Sequence, residues 1–124
     1  MESIRQKQVA ETVKRNFSQL LQVEGSYIFK EALVTVTSVK MSSDLSIASI
    51  YCSVYNVEDK QSVILLMENE YHRLHHALAK RLRRHVRKIP NLRFFLDDTL
   101  DEMYRLNALF DRLHDEHQMG NEEE

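Results

Sequence analysis

VTVTSVKMSSDLSIASIY, residues Val34 to Tyr51, decides how the rest of the chain is read. Its first half is rich in β-branched residues, so Ala32 to Lys40 is expected to be a strand. Ser42, Ser43 and Asp44 form a turn signal, and behind them Ile47 to Tyr55 alternates apolar and polar side chains. Two adjacent strands follow from this pattern. In the second, Ala48, Ile50, Cys52 and Val54 share one face and Ser49, Tyr51, Ser53 and Tyr55 the other. A sheet with one apolar face must cover it, and the flanking segments supply helices to do so.

On the N-terminal side, Ser3 and Gln6 have the spacing of a capping box, and Val9, Val13, Phe17, Leu20 and Leu21 recur at helical steps. This first helix is expected to end near Glu24, with Gly25 as a left-handed stop. On the C-terminal side a long helical pattern starts near Asp59 and steps through Val63, Met67, Tyr71, Leu74, Leu78, Leu82, Val86 and Ile89 to Pro90. An apolar stripe of that length drifts around a straight helix, so a bend is expected between Glu68 and His76. Leu92 to Leu96 forms a short third strand. Thr99 and Glu102 make a second capping box before a terminal helix carrying Leu100, Met103, Leu106, Leu109, Phe110 and Leu113. The expected fold class is α+β, helices on one face of a three-stranded sheet.

A chain of 124 residues suits one domain, expected over residues 1–113 with an acidic, disordered tail at 114–124. Its 43% hydrophobic and 29% charged residues are those of a soluble globular protein. The beginning of the chain lacks the apolar stretch of a signal peptide, and the expected location is cytoplasmic. A single cysteine, Cys52, excludes an internal disulfide and a cysteine-built metal site. Charge is strongly divided along the chain. Residues 1–96 hold fifteen Lys and Arg against nine Asp and Glu, a net of +6, whereas residues 97–124 hold two against ten, a net of −8. A basic body with an acidic tail points to a polyanionic partner.

The positive charge peaks in HRLHHALAKRLRRHVRKIP (His72–Pro90), with seven Lys or Arg and four His in nineteen residues. Arg73, His76, Lys80, Arg83, Arg84 and Arg87 recur at three- and four-residue steps, a helical stripe opposite most of the leucines. Between Glu70 and Pro90 there is no carboxylate, whereas a merely solvated face usually mixes signs. Arg73, Lys80, Arg81, Arg83, Arg84, Arg87 and Lys88 are therefore the expected contacts to phosphates of a polyanionic partner, with Lys7, Lys14 and Arg15 as a weaker second patch. A membrane-surface role would need the apolar face that the core requires, so no membrane partner is expected. Tyr51 and Tyr55 are read as packing residues rather than base-stacking platforms.

Catalytic readings are weak. His72, His75 and His76 have helical spacings that could gather imidazoles, but no H-E-x-x-H pattern accompanies them and Arg73 and Lys80 disfavour a cation there. Solvated histidines on a basic helix are the simpler reading. Cys52 alternates onto the apolar face of its strand, and Asp97, Asp98, Asp101 and Glu102 suit a helix N-terminus. No enzymatic activity, metal or cofactor is expected.

Together the residues resemble the ribosome-binding factor A family, assembly factors for the bacterial small ribosomal subunit. Val34 to Tyr51 is similar to the family's V-T-V-T-x-V-x-[MV]-S-x-D-L-x-x-A-x-[VI]-Y, and IPNLRFFLDDTLD (Ile89–Asp101) to its V-P-E-L-x-F-x-x-D-x-S. The likeness covers roughly residues 3–113. It implies a type II KH-like fold of order α-β-β-α-α-β, binding to the small-subunit precursor near its ribosomal RNA, help with late maturation of that RNA, and no catalysis. The family bends its helix pair at an Ala-x-Gly motif, but ENEYHRLHHAL (Glu68–Leu78) has neither that motif nor any glycine, so no residue is carried over from it. The expected partners are the small subunit and its RNA, with ribosomal proteins as further candidates, and the expected state is a monomer. The alternative is a protein-interaction module whose basic helix docks an acidic protein without touching RNA.

Overall fold

The computed structural model describes residues 2–98 and 106–113. In chain order the elements are α1 (Ile4–Phe29), β1 (Leu33–Met41), β2 (Ile47–Tyr55), α2 (Lys60–Asn69), α3 (Tyr71–Leu82) and β3 (Asn91–Leu96). This is the expected α-β-β-α-α-β order. Residues 106–113 are helical, with Leu106, Leu109, Phe110 and Leu113 exposed. The expected capping box at Thr99 and Glu102, the apolar positions Leu100 and Met103, and the tail at 114–124 lie outside the described residues.

The capping box at the start of α1 is present in both directions: Ser3 N–H donates to Gln6 Oε1 at 2.7 Å, and Gln6 N–H to Ser3 Oγ at 3.0 Å. Its far end corrects the sequence reading. Gly25 does not take a positive φ, and the helix runs through it to Phe29 before Lys30 takes a positive φ of 55°. The reason is burial: Ile28 and Phe29 both enter the core, which outweighs the roughly 1 kcal/mol cost of a helical glycine. A Cβ on residue 25 would sit 3.4 Å from the Phe29 ring, an ordinary van der Waals contact, so the packing there does not require glycine.

The three strands form one mixed sheet, order β1-β2-β3, with β1 antiparallel and β3 parallel to β2. Ala48, Ile50, Cys52 and Val54 are buried, as their alternation requires. In β1 the register shifts between Val36 and Ser38, a bulge at Thr37 that lets Val36 and then Val39 and Met41 all turn inward. Phe17 of α1 stacks on Phe94 of β3 with ring centres 5.8 Å apart, and Val63, Ile64 and Met67 of α2 join Leu74, Leu78 and Leu82 of α3 in the same core.

The long C-terminal pattern does break where expected, at Glu70, whose φ −96° and ψ 20° separate α2 from α3 without glycine or proline. It does not continue to Ile89. The chain leaves the helix after Leu82, with His85 N–H and Val86 N–H both donating to Leu82 O, at 2.8 and 3.1 Å. Seven more helical residues would have carried it about 10 Å further along the axis. Instead it turns back so that Asn91 N–H reaches Ser46 O at 2.8 Å and β3 starts beside β2.

Candidate nucleic-acid interface

Because α3 stops at Leu82, the basic residues fall into three groups rather than one stripe. Arg73, Lys80 and Arg81 stand on the helix, Arg83 and Arg84 on the turn after it, and Arg87 and Lys88 on the irregular segment before β3. All but Arg81 are exposed, and Arg81 is half-buried. Successive contacts show that α1 and α3 run side by side in opposite directions. Arg73 Nη2 bonds to Glu24 Oε2 at 2.6 Å, its guanidinium lies 5.7 Å from the Tyr27 ring centre, and Arg81 Nη1 donates to Gln19 Oε1 at 3.3 Å. Leu20, Val23 and Glu24 of α1 face Arg73, His76, Ala77 and Lys80 across a groove of about 500 Å³. Farther along, Arg5 of α1 lines a cleft with Arg87 and Lys88.

The electrostatic consequence is uneven. Arg73 is neutralised by Glu24, whereas the side chains of Lys80, Arg83, Arg84, Arg87 and Lys88 have no ion-pair or hydrogen-bond partner among the described residues. These five are left to attract an external polyanion. The second patch is not gathered with them. At about 100° of rotation per residue, Lys7 and Lys14 share the flank of Leu21 and Gly25, which adjoins β1, and Arg15 points to solvent. Arg5 is the α1 cation that meets the basic segment. Its only signal in the sequence was its position one turn before buried Val9.

The other candidates have separate neighbours. His75 stacks on Tyr71, centres 5.5 Å apart, and its Nε2 lies 3.1 Å from Pro90 O; His72 meets the Tyr71 ring edge-on. Among the described residues, no group of three or more His, Cys, Asp or Glu is arranged to hold a metal ion. Burial, with a smaller push from the Asp97 carboxylate, drives the Cys52 thiol up to about 12, so it is not a nucleophile at neutral pH. Asp97 does not stand free at a helix end: its carboxylate receives the Thr37 hydroxyl at 2.5 Å and its N–H donates to Cys52 O at 2.7 Å. No described helix is long and apolar enough to cross a membrane.

A family model described as ribosome-binding factor A matches residues 5–110. The chain belongs to the ribosome-binding factor A family. Among curated members, that of Cytophaga hutchinsonii is 31% identical over 91% of this chain and 85% of its own, and that of Chlorobium limicola 33% over 86% and 89%. The crystal structure of ribosome-binding factor A from Thermus thermophilus shares the fold, with a TM-score of 0.62 at 24% identity over 73% of this chain and 94% of that one. A homology model of the Thermus thermophilus factor, as fitted into the cryo-EM map of a 30S complex, has a TM-score of 0.57 at 29% identity over 72% and 91%. The fold is type II KH-like.

The two stretches that resemble the ribosome-binding factor A family meet in space. The β1 bulge presents Thr37 to Asp97 at the end of β3, and Ala48 of β2 pairs with Leu92 of β3. The V-T-V-T pattern and the later Asp thus form one hydrogen-bonded unit, sixty residues apart in sequence.

Proposed function

We propose that this protein associates with the immature small ribosomal subunit and assists late maturation of its ribosomal RNA. It acts in the cytoplasm, as a monomer and without catalysis, by holding RNA phosphates on the basic end of the molecule. Lys80, Arg83, Arg84, Arg87 and Lys88 carry this contact, and Arg73 and Arg81 contribute less because α1 already engages them. The observation that carries the reading is that these five cations are exposed and unpaired among the described residues, on a segment without a carboxylate. Family membership supports the small subunit as the partner. Phosphate contacts position a protein without reading sequence, so binding should be strongly salt-dependent.

The test is reversal of Lys80, Arg83, Arg84 and Arg87 together to Glu, followed by co-sedimentation with small subunits at low salt. Binding should be lost while the circular dichroism spectrum is kept. Unchanged binding by the folded variant refutes the proposal. Subunit binding by the natural protein with no affinity for naked ribosomal RNA would favour docking on an acidic protein instead.

A further inference from the structure

We infer that the cleft between the start of α1, the β1–β2 turn and the segment before β3 binds one nucleotide of single-stranded RNA, its phosphate on Arg5, Arg87 and Lys88 and its base and ribose over Val9, Leu45 and Val86. This rests on the reading of RNA as the partner and goes beyond it, because it assigns a defined pocket rather than a charged surface.

Three segments far apart in sequence build the cleft, which has a volume of about 410 Å³. That lies within the range of about 300–1,000 Å³ usual for small-ligand sites. Arg5, Arg87 and Lys88 have no side-chain partner among the described residues, although the carboxylate of Asp44 lines the same space. Asp44 is otherwise engaged. Its Oδ1 accepts from Ser46 Oγ at 2.7 Å, from Ser42 Oγ at 2.8 Å and from Ser46 N–H at 3.1 Å, and these bonds hold it down to about 2. Three cations against one carboxylate leave the cleft a net +2.

The turn is also rigid where it meets the cleft. Leu45 sits at φ 63°, a conformation that branched side chains seldom adopt, and is held there by its own N–H donating to Ser42 O at 2.9 Å and by the Asp44 network. Half-buried Leu45 lines the cleft together with buried Val9 and half-buried Val86. A lining that combines two guanidinium groups and an ammonium with three apolar side chains matches a ligand with an anionic end and a ring, and it matches a bare anion less well. A base paired in a duplex would have to spend about a few kcal/mol on unpairing and unstacking to reach that apolar lining, which favours a single strand. The cleft is continuous with the basic segment through Arg87 and Lys88, which favours RNA over an acidic peptide.

The test is a titration of the ¹⁵N-labelled full chain, followed by amide shifts, with uridine 5′-monophosphate, inorganic phosphate and a tetraglutamate peptide in separate arms. The nucleotide should shift Leu45, Val86 and Lys88 and bind roughly five- to tenfold more tightly than phosphate, the increment of partly covering a ring with apolar surface. Arg5→Gln and Lys88→Gln, both at exposed positions, should each weaken it while the rest of the spectrum stays unchanged. Equal binding of phosphate and nucleotide, stronger binding of the peptide, or no shifts at the cleft would each overturn the inference. These results are separable from the proposed function. A chain that sediments with subunits but ignores the nucleotide loses only the pocket, and one that binds the nucleotide but not subunits loses only the assembly role.

Discussion

The two ends of the basic segment both carry cations but have opposite surroundings. At the start of α3, Arg73 meets Glu24 and Tyr27 of α1; at its finish, Arg83, Arg84, Arg87 and Lys88 make no ion pair among the described residues, and the part of α1 nearest Arg87 and Lys88 offers Arg5. Because the helices run in opposite directions, the charge order along α1 decides which cations of the second segment remain available. Charge written in a sequence is therefore not the charge presented to a ligand. The neighbouring helix sets the difference.

The sharpest way to break this contrast is to reverse each end separately. Changing Lys80, Arg83, Arg84 and Arg87 to Glu should weaken subunit binding by about two orders of magnitude or more, and single neutralisations among them should each reduce the salt slope by about one. Arg73→Glu should cost only a few-fold by the same co-sedimentation and salt titration, since its charge is already compensated. Equal losses from the two ends would erase the distinction.

Stability should follow the opposite pattern from binding. Leu78, fully buried on the inward side of α3, should lose about 2–5 kcal/mol on Leu78→Ala in urea denaturation. Arg84→Ala, on the exposed turn, should stay within about 0.5 kcal/mol. A large effect at Arg84 would mean that the charged end is structural.

A smaller effect is expected from Glu24→Gln, which frees Arg73. The pair is partly exposed, 47% on the Arg side and 25% on the Glu side, so the loss should be under about 1 kcal/mol while RNA affinity rises modestly. Unchanged affinity would show that the groove between α1 and α3 takes no part in binding. The smallest effect concerns the β1–β2 turn. The hydroxyls of Ser46 and Ser42 hold Asp44 down to about 2 from 3.8, so its contribution is present above pH 3.8 and is lost as pH falls through about 2. Asp44→Asn should flatten acid unfolding within that window, measured by circular dichroism. An identical acid profile would exclude a stabilising role for this carboxylate.

The elements legible in the sequence were those whose periodicity answers to one buried face. Ile47 to Tyr55 is the strand that its alternation required, Ser3 and Gln6 form their cap, and the bend at Glu70 falls inside the interval expected from the drift of the apolar stripe. The misread positions were ends. Gly25 looked like a stop, yet Ile28 and Phe29 draw the helix onward into the core. Val86 and Ile89 kept a helical spacing after α3 had ended, because half-buried residues on a returning segment can match that spacing by coincidence. The shift from Val36 to Val39 did carry a trace of the β1 bulge, since a strand cannot bury both without an extra residue.

For the site, the sequence located the basic segment and the absence of acids within it, because composition is local. It could not pair Arg73 with Glu24, forty-nine residues away, nor bring Arg5 to Lys88. By itself the sequence determined the strands, the cap at Ser3, the bend and the charge, since each depends on neighbours within a few turns of chain. Only the tertiary structure decided where α3 ends, which cations stay unpaired and which three segments enclose the cleft. Those outcomes follow from competition among distant groups for one core and for the same few carboxylates, a competition that is settled only when the chain is folded.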